Sequence, residues 1–469
     1  VQVTAPKALD APHRSTGLFG PEYRTASLGI LLVVTLIAFE GMSVGVVMPA
    51  IADELDALDL YGLSFSAFLI ASLFMNVVAG LWSDRRGYPV PFLAGVVLFV
   101  IGMALAGAAT TAGMFLAARA VQGLGAGASI VALYVMIARV YAVDVRPKAF
   151  ASVSAAWVVP AMVGPSVAGF VGQHWGWRYV FYGIIPLVIP ALVMLVPALR
   201  KGSAAEAAEA DAPQPGTGPR SRPVAMTLAA TCTAGGAGLL LHGVDRLHRD
   251  LVPGSLETAA GLALLLWGLY RLLPPRALRF ARGLPTTIVM RGFFSASFFG
   301  VNAFIPLALQ EVKSFDTTSA GVALTTGALG WSAGAYIQSK GSGHAHLRIR
   351  LGAAGVATGI VLCLLSVLPG VTGWIAVPAW IVAGFGMGFG LTTVSVTAMK
   401  QSPVHEQGAN SAALSVSDQL GSALSIGIGG ALVNVIGHSS SQIATGFLVI
   451  SCLMGVIAVT GSVLAGRTR

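Results

Sequence analysis

Glu40 stands inside Leu31–Ala50, a stretch (LLVVTLIAFEGMSVGVVMPA) otherwise apolar and long enough to cross a bilayer. A carboxylate at membrane depth costs several kcal/mol (about 2.5–3.5 on insertion scales) unless it is paired, hydrated or protonated, so its default role is to line a pathway or carry a proton. Two further ionisable groups lie deep in apolar stretches, Arg119 and Asp418. Each belongs to a polar stripe at helical spacing. Ser43 follows Glu40. Gln122 and Ser129 follow Arg119, beside Gly123, Gly125 and Gly127. Asp418 sits among Ser411, Ser415, Ser422 and Ser425, and a fourth stripe joins Ser295, Asn302 and Pro306. Lipid cannot solvate such stripes, so they must face protein or water. They either line a cavity with a titrating acid or form static buried pairs that fix helix packing. Breaking such a pair would destabilise the bundle in either case. The serines and glycines also suit close helix packing.

The elements that position these residues follow from composition. Of 469 residues 55% are hydrophobic and 10% charged, too few charges for a water-facing surface, so the chain is expected to be an all-α membrane protein. Apolar runs place helices near 27–50, 61–82, 90–110, 113–138, 149–172 and 179–199, then 224–243 and 255–273, then 286–310, 319–339, 348–369, 373–398, 408–436 and 442–466. That makes about fourteen spans arranged six, two, six. The division reads as a polar N-terminal arm over 1–26 with no signal peptide, a six-helix bundle over 27–199, and a linker over 200–223. Two accessory helices over 224–273, a second six-helix bundle over 274–466 and a tail over 467–469 complete it. Gly202–Arg222 is rich in Ala, Glu, Pro and Gly and is expected to be flexible. The accessory pair is expected at the periphery, facing lipid.

Lys and Arg crowd one set of loops, among them Arg85, Arg86, Arg146, Lys148, Arg279, Arg282 and Lys400, while the first opposite loop is acidic with Asp53, Glu54, Asp56 and Asp59. The basic side faces the cytoplasm by the positive-inside rule, so both termini are expected there and the protein in the plasma or inner membrane. In this setting the net charge of +9 speaks for basic loops, with no nucleic-acid partner. Cys232, Cys363 and Cys452 lie in apolar stretches without metal-ligand spacing, and no metal or other cofactor is expected. There is no phosphate loop and no nucleophile with its base, so an enzyme is not expected.

Local motifs narrow the class. Gly80-Leu-Trp-Ser-Asp84-Arg85-Arg86-Gly87 joins the second and third helices and resembles the Gly-x-x-x-Asp-Arg-x-Gly signature of the major facilitator superfamily, although Tyr88 and Pro89 replace its closing basic pair. Arg119-Ala-Val-Gln122-Gly123 is similar to that family's fourth-helix motif. Gly164-Pro165-Ser-Val-Ala168-Gly169 is similar to its fifth-helix antiporter motif, with Ala168 for one glycine and Pro160 for the usual leading one. Glu40 precedes Pro49 at the spacing that an Asp has in the fourteen-helix drug/proton antiporters. The chain therefore resembles that branch over nearly its whole length.

The resemblance implies a major facilitator fold of two six-helix bundles plus two extra helices, driven by the proton gradient alone. It implies proton coupling by Glu40, Arg119 and Asp418, and a cytoplasmic gate of Gly80, Asp84, Arg85 and Gly87. In that gate Asp84 would latch onto the start of the helix that carries Asp418. Gly164 and Pro165 are expected to bend the fifth helix. A cavity is expected among Phe39, Ser43, Gln122, Trp157, Asn302, Ser415 and Ser422, with Phe39, Trp157 and Phe299 placed to stack on lipophilic cations. The expected function is proton-coupled efflux of lipophilic or amphiphilic small molecules by a monomer. A lipid or glycolipid exporter and a proton-coupled importer on the same scaffold remain alternatives.

Overall fold

The structure is a computed structural model that describes residues 17–142, 144–210, 223–341, 343–403 and 406–469. The first bundle comprises α1 (Arg24–Glu54), α2 (Tyr61–Arg86), α3 (Pro89–Gly107), α4 (Ala112–Val140), α5 (Arg146–Ala155), α6 (Val158–Trp175), α7 (Arg178–Tyr182) and α8 (Ile185–Ala210). The accessory pair is α9 (Pro223–Arg246) and α10 (Leu251–Leu272). The second bundle comprises α11 (Leu284–Asn302), α12 (Ile305–Lys313), α13 (Thr317–Lys340), α14 (Ala345–Leu364), α15 (Ala376–Gln401), α16 (Gln407–Ile436) and α17 (Ser440–Leu464).

Three expected spans are each split in two, and proline is the cause. Pro160, Pro186 and Pro306 lie four residues after Ala156, Tyr182 and Asn302, where the helices break. A proline supplies no N–H to the carbonyl four residues back and its ring crowds that carbonyl. The fifth span thus breaks at 156–157, whereas α6 runs unbroken through Pro165. The interruption of this span lies ahead of Pro160 and not at Gly164 and Pro165, where a bend was expected.

Thirteen helical segments of the described residues are long and apolar enough to cross a membrane. The expected fourteenth, α13, has 24 residues but is diluted by Thr317, Thr318, Thr325, Thr326 and four glycines. It packs between α6 and α15, and a helix shielded by protein can do without a fully apolar surface. The expected linker is partly helical, because α8 continues to Ala210 through a run of alanines and glutamates, good helix formers. Its remainder, 211–222, and the arm over 1–16 lie outside the described residues.

In the first bundle α1 packs on α6 and α8, and α4 on α2 and α3; in the second α15 packs on α13 and α14, and α11 on α16 and α17. The bundles meet along α6 with α13 and α2 with α16. Glycine allows the approach: a Cβ at Gly169 would lie 2.7 Å from the Thr317 carbonyl oxygen, and one at Gly62 would lie 2.7 Å from the Gly430 Cα. Hydrogen bonds join the bundles at the same end. Tyr61 Oη donates to the Ala303 carbonyl at 2.9 Å, Ser66 Oγ to the Ala423 carbonyl at 2.7 Å, and Gln310 Nε2 to the Val46 carbonyl at 3.2 Å. Ser166 and Thr325 pair at 2.9 Å. All these residues lie toward the loop between α1 and α2. The bundles are therefore closed at the α1–α2 end.

The accessory pair differs from expectation. One face of α10 does look outward with Leu256, Leu262, Leu266, Trp267 and Tyr270. However, α9 packs against both α2 and α16, so it covers the seam instead of standing apart. At the α1–α2 end Asp59 takes a salt bridge from Arg249 at 3.0 Å and lies 3.4 Å from His438 Nε2. Asn434 Nδ2 donates to Asp245 at 2.6 Å and to the Asp59 carbonyl at 2.7 Å. First bundle, accessory pair and second bundle are thereby tied in one cluster.

Candidate functional site

Glu40 and Arg119 meet because glycines bring three helices together around them. A Cβ at Gly123 would lie 2.2 Å from the Phe68 carbonyl oxygen of α2, and one at Gly102 of α3 would lie 2.5 Å from the Gln122 nitrogen. With α2, α3 and α4 this close, Arg119 is held against α1. Its Nη1 donates to Glu40 Oε1 at 2.5 Å and to Gln122 Oε1 at 2.5 Å. Its guanidinium lies 4.5 Å from the Phe68 ring centre. The pair is sealed, with side-chain exposures of 0% for Glu40 and 3% for Arg119. Glu40 Oε2, Arg119 Nε and Gln122 Nε2 are buried without a protein partner.

This corrects the expectation that Glu40 and Gln122 face an aqueous cavity. In this conformation both are enclosed within the first bundle, because the guanidinium neutralises the acid and Phe68 covers the pair. Ser43 is enclosed too, donating to the Gly164 carbonyl at 3.3 Å.

Asp418 belongs to a different cluster. Its partner is Arg291 of α11, a residue that sequence reasoning missed. Arg291 Nη2 lies 3.3 Å from Asp418 Oδ2, Arg291 Nη1 donates to Ser395 Oγ at 2.6 Å, and Ser295 Oγ donates to Asp418 Oδ1. The signal was present: Arg291 is one helical turn before Ser295 and extends the stripe of Ser295 and Asn302. It lies seven residues after the α11 start at Leu284, inside the expected span 286–310, and was overlooked there. Unlike the first pair, this one is open, with side-chain exposures of 24% for Arg291 and 29% for Asp418. Beside it a groove of about 660 Å³ between α15 and α16 is lined by Ser395, Val396, Met399, Lys400, Ser402 and Gln407. It opens at the α2–α3 end.

The remaining expected residues are scattered. Phe39 and Trp157 are half-buried against the first-bundle core. Asn302 accepts from Trp380 Nε1 at 2.9 Å, Ser415 is exposed, and Ser422 is buried and donates to the Asp418 carbonyl at 3.0 Å. Phe299 stands in an aromatic cluster with Phe298 and Trp331. Gly169 forms the seam described above. A Cβ at Gly164 would meet Ser43 Oγ at 3.3 Å, and one at Gly321 of α13 would meet the Pro165 carbonyl oxygen at 2.6 Å. The fifth-helix motif is thus a bundle-to-bundle contact.

Asp84 and Arg85 are exposed at the α2–α3 end, and Asp84 does not engage α16, whose contacts with α2 lie near Gly62 and Ser66. Gly80 faces Val131. Gly87 caps α2 at φ +66°, a conformation open to glycine and costly for other residues.

Comparison with known proteins identifies the fold and the family. Residues 30–426 match the family model of the Major Facilitator Superfamily. The chain is 27% identical over 358 residues to an acurin A biosynthesis cluster MFS-type transporter of Aspergillus aculeatus, covering 72% of this chain and 61% of that one. It is 26% identical over 169 residues to the multidrug efflux pump SdrM of Staphylococcus aureus, covering 36% and 38%. The chain thus spans less than two thirds of the length of these relatives. With the efflux pump mlcE of Penicillium citrinum it shares 26% over 417 residues, 84% of this chain and 74% of that one. Among solved structures it resembles a bacterial homologue of the human lysosomal transporter Spinster, inward-facing and unoccupied, with TM-score 0.66, 15% identity and coverage of 96% and 98%. A D-xylose-proton symporter gives TM-score 0.62 at 18% identity, covering 95% and 98%. Family model, helix plan and fold agree that the chain belongs to the Major Facilitator Superfamily.

Proposed function

We propose that the protein exports lipophilic or amphiphilic small molecules in exchange for protons, by alternating access, without a bound cofactor and as a monomer. The basic α2–α3 end, with both termini, faces the cytoplasm. Cargo enters the vestibule from that side while the α1–α2 end is shut. Rocking of the bundles about the α6–α13 and α2–α16 contacts opens the α1–α2 end to the outside and closes the other. Asp84 then latches onto the start of α16, where a carboxylate at a helix N-terminus gains roughly 0.3–1 kcal/mol.

Glu40 is the leading proton carrier. One of its oxygens is held by Arg119, and the other is the atom left for a proton. Protonation breaks the charge pairing and loosens Arg119 from α1. Inward movement of one proton charge is worth about 2.3 kcal/mol per 100 mV.

The observation that carries this reading is a sealed acid–arginine pair with an unpartnered carboxylate oxygen, in a molecule whose bundles are joined at the α1–α2 end. It is supported at family level by relatives named as efflux pumps. The test is cargo-driven proton release from proteoliposomes carrying Glu40→Gln. Loss of release, with the melting temperature retained, is expected. Unchanged coupling removes Glu40 from the mechanism.

A further inference from the structure

We propose that Arg291 is the docking point for an anionic head, a carboxylate, on an amphiphilic cargo, with Asp418 as the counter-ion that the cargo displaces. The proposal rests on the export reading above and gives it a substrate class.

The argument begins with donors. A guanidinium offers five N–H groups. Arg291 spends one at 2.6 Å on Ser395 and one at 3.3 Å on Asp418, while its Nε is buried without a partner. Carboxylates are held best by two parallel bonds of roughly 2.7–2.9 Å from one guanidinium. The contact with Asp418 is single and long, and Ser295 already occupies the other Asp418 oxygen. Arg291 is therefore an under-satisfied cation beside a space that ligand can reach. Arg119 shares the unpartnered Nε but is tightly bonded to its acid and sealed from any ligand.

The surroundings favour an anion as well. The groove beside Ser395 contains no acid among its lining residues and brings Lys400 to its mouth, while Val396 and Met399 offer an apolar wall for a tail. Glu406 stands outside it, exposed at the start of α16 and engaged in an interaction of its own. From the first bundle, Tyr134 of α4 is near enough to feel the charge of Arg291. Four of the six residues lining the groove, Ser395, Lys400, Ser402 and Gln407, are polar and none is acidic, so it offers donors to an anion beside a short apolar strip. Charge balance argues against the cations expected from sequence. Arg119 cancels Glu40 and Arg291 cancels Asp418, which leaves the centre no net negative charge to attract them.

The test is equilibrium binding to the purified full chain in nanodiscs. The probes are dansyl-undecanoic acid, the matching undecanamide and dansyl-undecylamine. The acid is expected to bind the unmodified protein roughly tenfold tighter than the amide, the size of one charged hydrogen-bonding pair. Arg291→Gln should erase that preference and Arg291→Lys should retain part of it. Asp418→Asn, which removes the competitor, should tighten the acid several-fold and leave the amide unchanged. A preference that survives both Arg291 variants, or an amine that binds tightest, overturns the proposal. Should Arg291→Gln fail to fold, the Lys and Asp418→Asn arms still decide. Export of Nile red from proteoliposomes under a pH gradient reads the efflux function separately. Dye export without carboxylate preference sinks this inference alone, and carboxylate preference without dye export sinks the efflux reading.

Discussion

Each bundle holds one acid and one arginine at its heart, and the two pairs behave as opposites. The Glu40–Arg119 pair is enclosed, so removing one partner strands a buried charge. Arg119→Ala should cost roughly 3–5 kcal/mol, seen as a lower melting temperature in detergent, and the double change Glu40→Gln with Arg119→Gln should recover most of it. If the double variant melts no higher than the single one, the two residues do not stabilise each other. Arg291→Ala should cost less, because water reaches that pair. At this scale the sequence was half legible. An acid or a guanidinium in the middle of an apolar run announces itself, and Glu40, Arg119 and Asp418 did. Which of them pair depends on helices far apart in the chain, and Arg291, the eighth of the nineteen residues of α11, was overlooked although it stands on the Ser295 stripe. Ser43 and Gln122 shared faces with the charged residues, but a shared face gives no sign of whether water or another helix lies opposite.

The helices themselves were plain, since twenty-residue apolar runs leave little choice in a bilayer. Their interruptions were not, because Pro49 and Pro165 are absorbed within unbroken helices while Pro160, Pro186 and Pro306 end one segment and start the next. The difference lies in what surrounds the freed carbonyl, which a local pattern does not contain. The small residues of α6 have a definite purpose here. Gly169→Leu would force a side chain into the Thr317 backbone, and overpacking of this kind costs about 1–3 kcal/mol. The conformation closed at the α1–α2 end should become less populated. The check is a spin-label distance between Asp53 and Ser441, both exposed, in a background lacking Cys232, Cys363 and Cys452. A lengthened or split distance distribution is expected; an unchanged one would show that the α6–α13 contact does not hold this end shut.

Across the whole molecule, the six-two-six plan was readable from hydrophobic runs alone, but the position of the accessory pair was not. Its apolar outer face suggested a bystander, and only assembly reveals that α9 lies over the junction of α2 and α16. Asp59 connects all three bodies through Arg249, His438 and Asn434. Its ties are exposed, each worth about 0–1 kcal/mol. Asp59→Ala should therefore change the ratio of conformations by several-fold at most, again read by the Asp53–Ser441 distance, with an unaltered distribution refuting the tie. The enclosure of Glu40 behind this shut end has an energetic meaning for a cell. On the proposed mechanism, with the α1–α2 end turned outward, Glu40 cannot meet external protons while this conformation persists, so an exchanger at rest would not short-circuit its own driving gradient.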